Sequence, residues 1–196
     1  MASLQEMFDV RGKSTIVTGG ASGIGRAYAE IMAEQGARVC IFDLDKKGLD
    51  QAVEEVTRAG GDVWGQQVDV TDRPGLARAF DAVAEKHGRI DVVFANAGID
   101  AGPGFLSPEG NRNPEGAIDA MDEAVWDRSI AVNLTGAFFT LRNAARHMKQ
   151  TGGGRIIVTS SVAAQINEAI VGTDSAGGRG RPDAAPRRRG AARHRV

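Results

Sequence analysis

The sequence predicts an α/β fold: a doubly wound parallel sheet with helices on both faces that stops after about its fifth strand. Three observations carry this. Short apolar runs alternate with helical periodicities, the first run ends in a glycine-rich turn, and strand-forming sequence gives out near Val171. Strand and helix in alternation imply right-handed crossovers, and therefore parallel strands covered on both sides.

The first strand is read in "STIVTGG", followed by a helix from about Gly23 to Glu34 and a buried strand "ARVCIFD". In "KKGLDQAVEEVTRAG", Leu49, Ala52, Val53 and Val56 fall at i, i+3, i+4 and i+7, one face of a helix, and "DVWGQQVDV" reads as the next strand. A third helix brings Leu76, Phe80, Val83 and Ala84 together, and "IDVVFANAG" is an apolar run that closes on turn residues. A segment from Ile99 to about Ala120, rich in Gly and Pro, leads into a helix from about Asp122 to Lys149 and a fifth strand "GRIIVTSS". That long segment exceeds a usual strand-to-helix connection and is expected to border a substrate. No internal repeat interrupts the pattern.

A chain of 196 residues with 42% apolar and 25% charged residues can bury one core without disulfides. The single cysteine, Cys40, excludes a disulfide framework or a Cys-rich zinc site, so no metal site is expected and a reducing, cytoplasmic setting fits. No apolar stretch approaches the ~18 residues of a membrane span, and the amino terminus carries no leader pattern. The net charge of −1 conceals two compositions. Between Gly172 and Val196, seven Arg against two Asp give +5, which leaves −6 on residues 1–171. The same 25 residues hold no aromatic residue, Leu, Ile or Lys, so they cannot offset chain entropy by burial. The division expected is a domain over 1–171 and a disordered tail over 172–196. Without aromatics to stack bases, the arginines of that tail offer only weak, salt-sensitive phosphate contacts, and a nucleic-acid partner is not expected.

In such a sheet, ligands bind beyond the carboxyl ends of the strands. The first strand ends there in "TGGASGIG", with Gly19, Gly23 and Gly25 between strand and helix. Glycines permit a sharp turn and the approach of a pyrophosphate to main-chain N–H groups at a helix amino terminus. A turn that merely packs strand on helix would use them too. The second strand ends at Asp43, about 20 residues on, where a carboxylate can accept from an adenosine ribose and would repel a 2′-phosphate, so NAD is favoured over NADP. An ordinary helix N-cap is the other reading of Asp43.

"TGGASGIG", "DV" at Asp69 and Val70, "NAG" at Asn96 to Gly98, Asn133 in "AVNLTGAFF" and "GRIIVTSS" resemble, in order and spacing, the short-chain dehydrogenases/reductases. The resemblance covers residues 10 to about 171. It implies a Rossmann-type sheet and a nicotinamide-dependent oxidoreductase that interconverts an alcohol and a carbonyl of a small-molecule substrate, commonly as a homo-oligomer. It also implies roles for particular residues. Gly19, Ser22, Gly23, Ile24 and Gly25 would line the diphosphate, Asp43 the adenosine ribose, and Asp69 with Val70 the adenine. Asn96, Ala97 and Gly98 would flank the nicotinamide-side ribose and stabilise the sheet. Asn133 would hold a water of a proton relay, and Ser161 would hydrogen-bond the substrate oxygen. On chemistry alone, an alcohol can lose hydride only if its oxygen loses a proton, which requires a polarising hydroxyl and a base. Read without the family, Ser161 could be a turn serine and Asn133 a satisfied core amide.

The base is where the pattern departs. The family places a Tyr about a dozen residues beyond the Ser and a Lys four later, but here that stretch holds Asp174 and Ser175. The one tyrosine is Tyr28 and the last lysine is Lys149. His147, Glu168 and Asp174 are weak substitutes. Gly, Ala, Arg and Pro, which make up most of the tail, can all be encoded by G and C alone. A frameshift near codon 172 is therefore the expectation, and with it a non-catalytic NAD-binding fragment as the alternative to an active enzyme. A fifth strand left as an open edge would favour aggregation.

Overall fold

The computed structural model describes residues 8–100, 102, 104 and 111–161. The tail from Gly172, the substitute bases Glu168 and Asp174, and much of the segment after Ile99 lie outside them. Five parallel strands form one sheet in the order β3-β2-β1-β4-β5: β1 Ser14–Thr18, β2 Arg38–Asp43, β3 Asp62–Gln67, β4 Val92–Ala95 and β5 Arg155–Val158. The chain leaves β1 in one direction toward β2 and β3 and later returns on its other side with β4 and β5. The crevice where that order reverses opens at the carboxyl ends of β1 and β4.

Alternation along the strands separates two cores. Ile16, Cys40, Phe42 and Val93 face helices α3 (Arg73–His87) and α5 (Ala137–Gln150), whose Phe80, Val83, Ala144 and Met148 close that side. Val17, Val39, Ile41 and Phe94 face helices α1 (Gly23–Glu34) and α2 (Lys46–Arg58), which contribute Ala29, Ala33, Leu49, Ala52 and Val56. In α1 the buried positions Gly25, Ala29 and Ala33 recur every four residues. Their small side chains let the helix lie close against the sheet and hold its first turn over the end of β1. Asp45 caps α2 by accepting from the Lys47 N–H at 3.1 Å, and Gly88 ends α3 in the left-handed conformation at φ 76°.

Two expectations need correction. The helix expected from Asp122 to Lys149 is not continuous α-helix: α4 (Glu123–Ser129) passes through a π-helical stretch, Ile130–Gly136, before α5 begins. The wider turn suits its surroundings, since Gly136 packs on Val70 so closely that a Cβ would lie 2.7 Å from Val70 Cγ2. The strands at the carboxyl edge are also shorter than the apolar runs suggest. Asn96 leaves the ladder because its N–H donates to Thr18 Oγ1 at 3.0 Å rather than to a neighbouring strand, which stops β4 at Ala95.

Among the described residues β5 forms one edge of the sheet, and Ile156, Ile157 and Val158 are each more than a third exposed. No described helix is long and apolar enough to cross a membrane.

Candidate functional site

A cleft of about 520 Å³ opens over the carboxyl ends of β1, β2, β3 and β4. Its walls include Gly19, Ser22, Gly23 and Ile24 from the glycine-rich turn, and Asp43, Asp69 and Val70 from the ends of β2 and β3. Asn96, Ala97 and Gly98 border it after β4.

Three glycines shape the turn in different ways. Gly19 takes φ +64°, and a Cβ there would stand 2.8 Å from Ala97 Cα. Gly23 takes φ +53° with open space around it. Gly25 is buried under the turn rather than on the cleft wall, and a Cβ on it would meet the Gly19 carbonyl oxygen at 2.1 Å. Ser22 takes the extended conformation of an N-cap, yet its side chain makes no capping hydrogen bond, so the first N–H groups of α1 stay available at the cleft floor.

Asp43 secures the turn from the side. Its Oδ2 accepts from the Ala21 N–H at 2.9 Å and its Oδ1 from the Asp45 N–H at 3.0 Å. The helix cap is thus Asp45, and Asp43 keeps two further acceptor positions. Asp69 bends the chain by accepting from the Thr71 N–H at 2.8 Å and its hydroxyl at 2.7 Å.

Asn96 ties three strand ends together. Its Nδ2 donates to the carbonyl oxygens of Thr18 and Gly19, each at 3.2 Å, while Oδ1 accepts from the Thr159 hydroxyl at 2.8 Å. Thr18 works from beneath, its hydroxyl donating to Phe94 O and accepting from the N–H groups of Asn96 and Ala97. Opposite, Asn133 grips the loop after β4: Oδ1 accepts from the Ile99 N–H at 2.8 Å, and Nδ2 donates to Ile99 O at 2.9 Å and to Ser129 Oγ at 3.2 Å. The amide side chain is therefore committed to protein groups, and the residue does not stand on the cleft wall.

The remaining candidates are less central. Ser161 is exposed, three residues past the end of β5, and Thr159 is the residue of that segment on the cleft wall. Tyr28 stacks on Phe94 at 4.5 Å between ring centroids, on the α1 side of the sheet. His147 lies against Phe80 with Nε2 3.0 Å from Asp81 Oδ1 and does not line the cleft. Burial, reinforced by Arg146, lowers its pKa. Burial likewise pushes the Cys40 thiol well above its usual range. No metal-binding group of three or more His, Cys, Asp or Glu occurs among the described residues.

Other walls of the cleft had no distinct signal in the sequence: Leu44 beside Asp43, Thr71, Ile99, Arg128 and Val132. Their neighbours carry motifs, and their own residue types do not.

A model of the short chain dehydrogenase family matches residues 13–176. The chain is 36% identical over 154 residues to cis-4-hydroxycyclohexanecarboxylate dehydrogenase of Sinomonas cyclohexanicum, a match spanning 79% of this chain and 57% of the relative. It is 34% identical over 171 residues to D-threitol dehydrogenase of Mycolicibacterium smegmatis, spanning 85% and 61%. A solved short chain dehydrogenase/reductase from Burkholderia phymatum in complex with NAD superposes with a TM-score of 0.76 at 29% identity, covering 87% of this chain and 56% of that one. The chain thus spans little more than half the length of the relatives it matches. Its sheet order, its glycine-rich turn over β1 and the matched motifs agree on one assignment: the chain belongs to the short-chain dehydrogenase/reductase family.

Proposed function

We propose that the cleft binds a nicotinamide dinucleotide, NAD in preference to NADP, and that the chain carries the cofactor-binding part of an oxidoreductase acting between a secondary alcohol and a carbonyl. The observation that carries this reading is the joint arrangement of Gly19, Gly25 and Asp43: two glycines whose missing side chains leave a close cradle at the start of α1, and a carboxylate anchored at its rim. The residues fit the cofactor. Uncapped N–H groups of α1 suit a diphosphate, and the free acceptor positions of Asp43 suit ribose hydroxyls while its charge opposes a 2′-phosphate.

A bound nicotinamide would supply the acceptor or donor of hydride. The protein's share is to orient it and to manage a proton. Asn96 and Asn133 hold the backbone that would border the nicotinamide-side ribose, and Ser161 is the hydroxyl for the substrate oxygen. Because the Asn133 amide is occupied, any water it holds in a relay would have to bind its main-chain carbonyl. The only tyrosine of the sequence is Tyr28, packed on Phe94, and His147 faces α3. This favours binding without turnover in the 196-residue chain as it stands.

Titrating that chain with NADH and NADPH, followed by nucleotide fluorescence, tests the reading. NADH is expected to bind the more tightly, and mixing with NAD and secondary alcohols to produce no NADH. Replacing Asp43 by Asn should weaken NADH about tenfold while leaving NADPH unchanged or improved. Equal affinities for the two cofactors in the parent chain would overturn the NAD preference, and absence of binding would overturn the site. Steady turnover would remove the non-catalytic reading.

A further inference from the structure

Resting on the dinucleotide reading of this cleft, we propose that Arg128 supplies the positive charge that holds the phosphate-bearing part of the nucleotide. Among the described residues Arg128 is the only cationic side chain on the cleft wall, where the other charges are the carboxylates of Asp43 and Asp69. Both carboxylates are already held by nearby donors, from Ala21 and Asp45 in one case and from Thr71 in the other. The glycine-rich turn on the same cleft offers partial charges from N–H groups, but Gly19, Ser22, Gly23 and Ile24 bring no formal charge. A dinucleotide entering the cleft adds the charge of its diphosphate to that of the two carboxylates, and the Arg128 guanidinium is available to offset it.

The other described arginines are engaged. Arg26 bonds Glu30 and Glu55, Arg58 bonds Glu54, Arg89 bonds Asp91 and Arg146 bonds Asp81. Arg11 and Arg78 have aspartates, Arg38 and Arg155 have carbonyl oxygens, Arg73 and Arg142 lie over the Phe139 ring, and Arg112 is also partnered. Arg128 has no such partner among the described residues, and its own helix offers none: the positions three and four residues before it are Val125 and Ala124, and those three and four after it, in the π-helical stretch, are Ala131 and Val132. The helix that carries it is nevertheless held in place. Asp122 caps its start and Asn133 fastens the following turn to Ile99. A planar guanidinium on a fixed helix, facing a cleft and free of protein acceptors, has the chemistry to grip phosphate oxygens in pairs.

The test measures binding of NADH, ADP and adenosine to the full 196-residue chain and to Arg128→Ala, Arg128→Gln and Arg128→Lys, at low and moderate salt. Arg128→Ala is expected to weaken NADH and ADP about tenfold, leave adenosine unchanged, and flatten the salt dependence of ADP binding. Arg128→Lys should retain most of the affinity. Arg128→Gln keeps the length without the charge and carries the same expectation as Ala, which covers an Ala variant that fails to fold. Parent-like ADP binding in the Ala or Gln variant would overturn the proposal and leave the cleft reading intact. An equal loss for adenosine would also overturn it, because the side chain would then serve the base or the fold. A parent chain that binds neither NADH nor ADP overturns both.

Discussion

Gly25→Ala is expected to destabilise the chain by about 3 kcal/mol and to abolish measurable NADH binding. Helix propensity alone predicts the opposite, since Ala is favoured over Gly inside a helix by about 1 kcal/mol. Space decides the sign. A methyl group at this position would stand 2.1 Å from the Gly19 carbonyl oxygen and 2.5 Å from Asn96 Nδ2. Neither atom lies at the end of a flexible chain: one is backbone, and the other is tied to Thr18 and Gly19. Relief therefore requires α1 to move away from the end of β1, which opens the cradle and uncovers Ala29 and Ala33, the next small residues on the same face. In a domain of this size the melting temperature should fall by roughly 6–12 °C. Gly23→Ala is the control. That position has positive φ but open space, so its cost is the left-handed strain of about 1–2 kcal/mol without a collision. Thermal melts followed by circular dichroism separate the two. A Gly25→Ala chain that melts with the parent would show that the turn yields at little cost.

Asn96→Ala is expected to cost about 2–3 kcal/mol, the second largest effect, by removing two donated bonds and one accepted bond from a partly buried side chain. The Thr18 and Gly19 carbonyl oxygens and the Thr159 hydroxyl lose a shared partner, so the ends of β1, β4 and β5 are no longer linked above the sheet. The Asn96 N–H keeps its bond to Thr18 Oγ1 and should preserve the strand pairing below it. The loss should therefore concentrate at the carboxyl edge. Amide hydrogen exchange is the direct measurement: Ala97 and Thr159, whose N–H groups bond Thr18 Oγ1 and Ala95 O, should exchange faster, while Ile16 and Val93 in the sheet interior should stay protected. Uniform acceleration throughout the sheet would mean that Asn96 supports the fold globally rather than this edge. Unchanged exchange at Ala97 and Thr159 would mean that Thr18 alone carries the junction.

Much of the site could be read from local patterns because its parts are set by local constraints. The glycines mark a turn that no other residue accommodates, Asp43 marks the end of a buried strand, and "NAG" marks where β4 leaves the sheet. Each residue type is scarce in its setting, and scarcity is what makes a pattern visible. Arg128 and Leu44 carry no such mark. A charged residue on a helix reads the same whether it faces water or a ligand, and a leucine after a strand reads as packing. The π-helical stretch was hidden for a related reason: Ile130 to Gly136 preserves helical apolar spacing, and the extra width follows from what Asn133 and Gly136 touch across the fold.

By itself, then, the sequence determined the order of strands and helices, the parallel sheet with its two apolar faces, and the glycine-rich turn beneath a candidate nucleotide site. These depend on residue periodicity and backbone freedom, which are properties of short segments. Only the tertiary structure decided that Asp43 braces the turn through Ala21 while Asp45 caps the helix, and that Asn133 spends its amide on Ile99. It also placed Tyr28 against Phe94 and Arg128 on the cleft wall. Apart from the local Asp45 cap, the contacts among these outcomes join residues separated by tens of positions, and partners at such distances are chosen by packing rather than by any pattern along the chain.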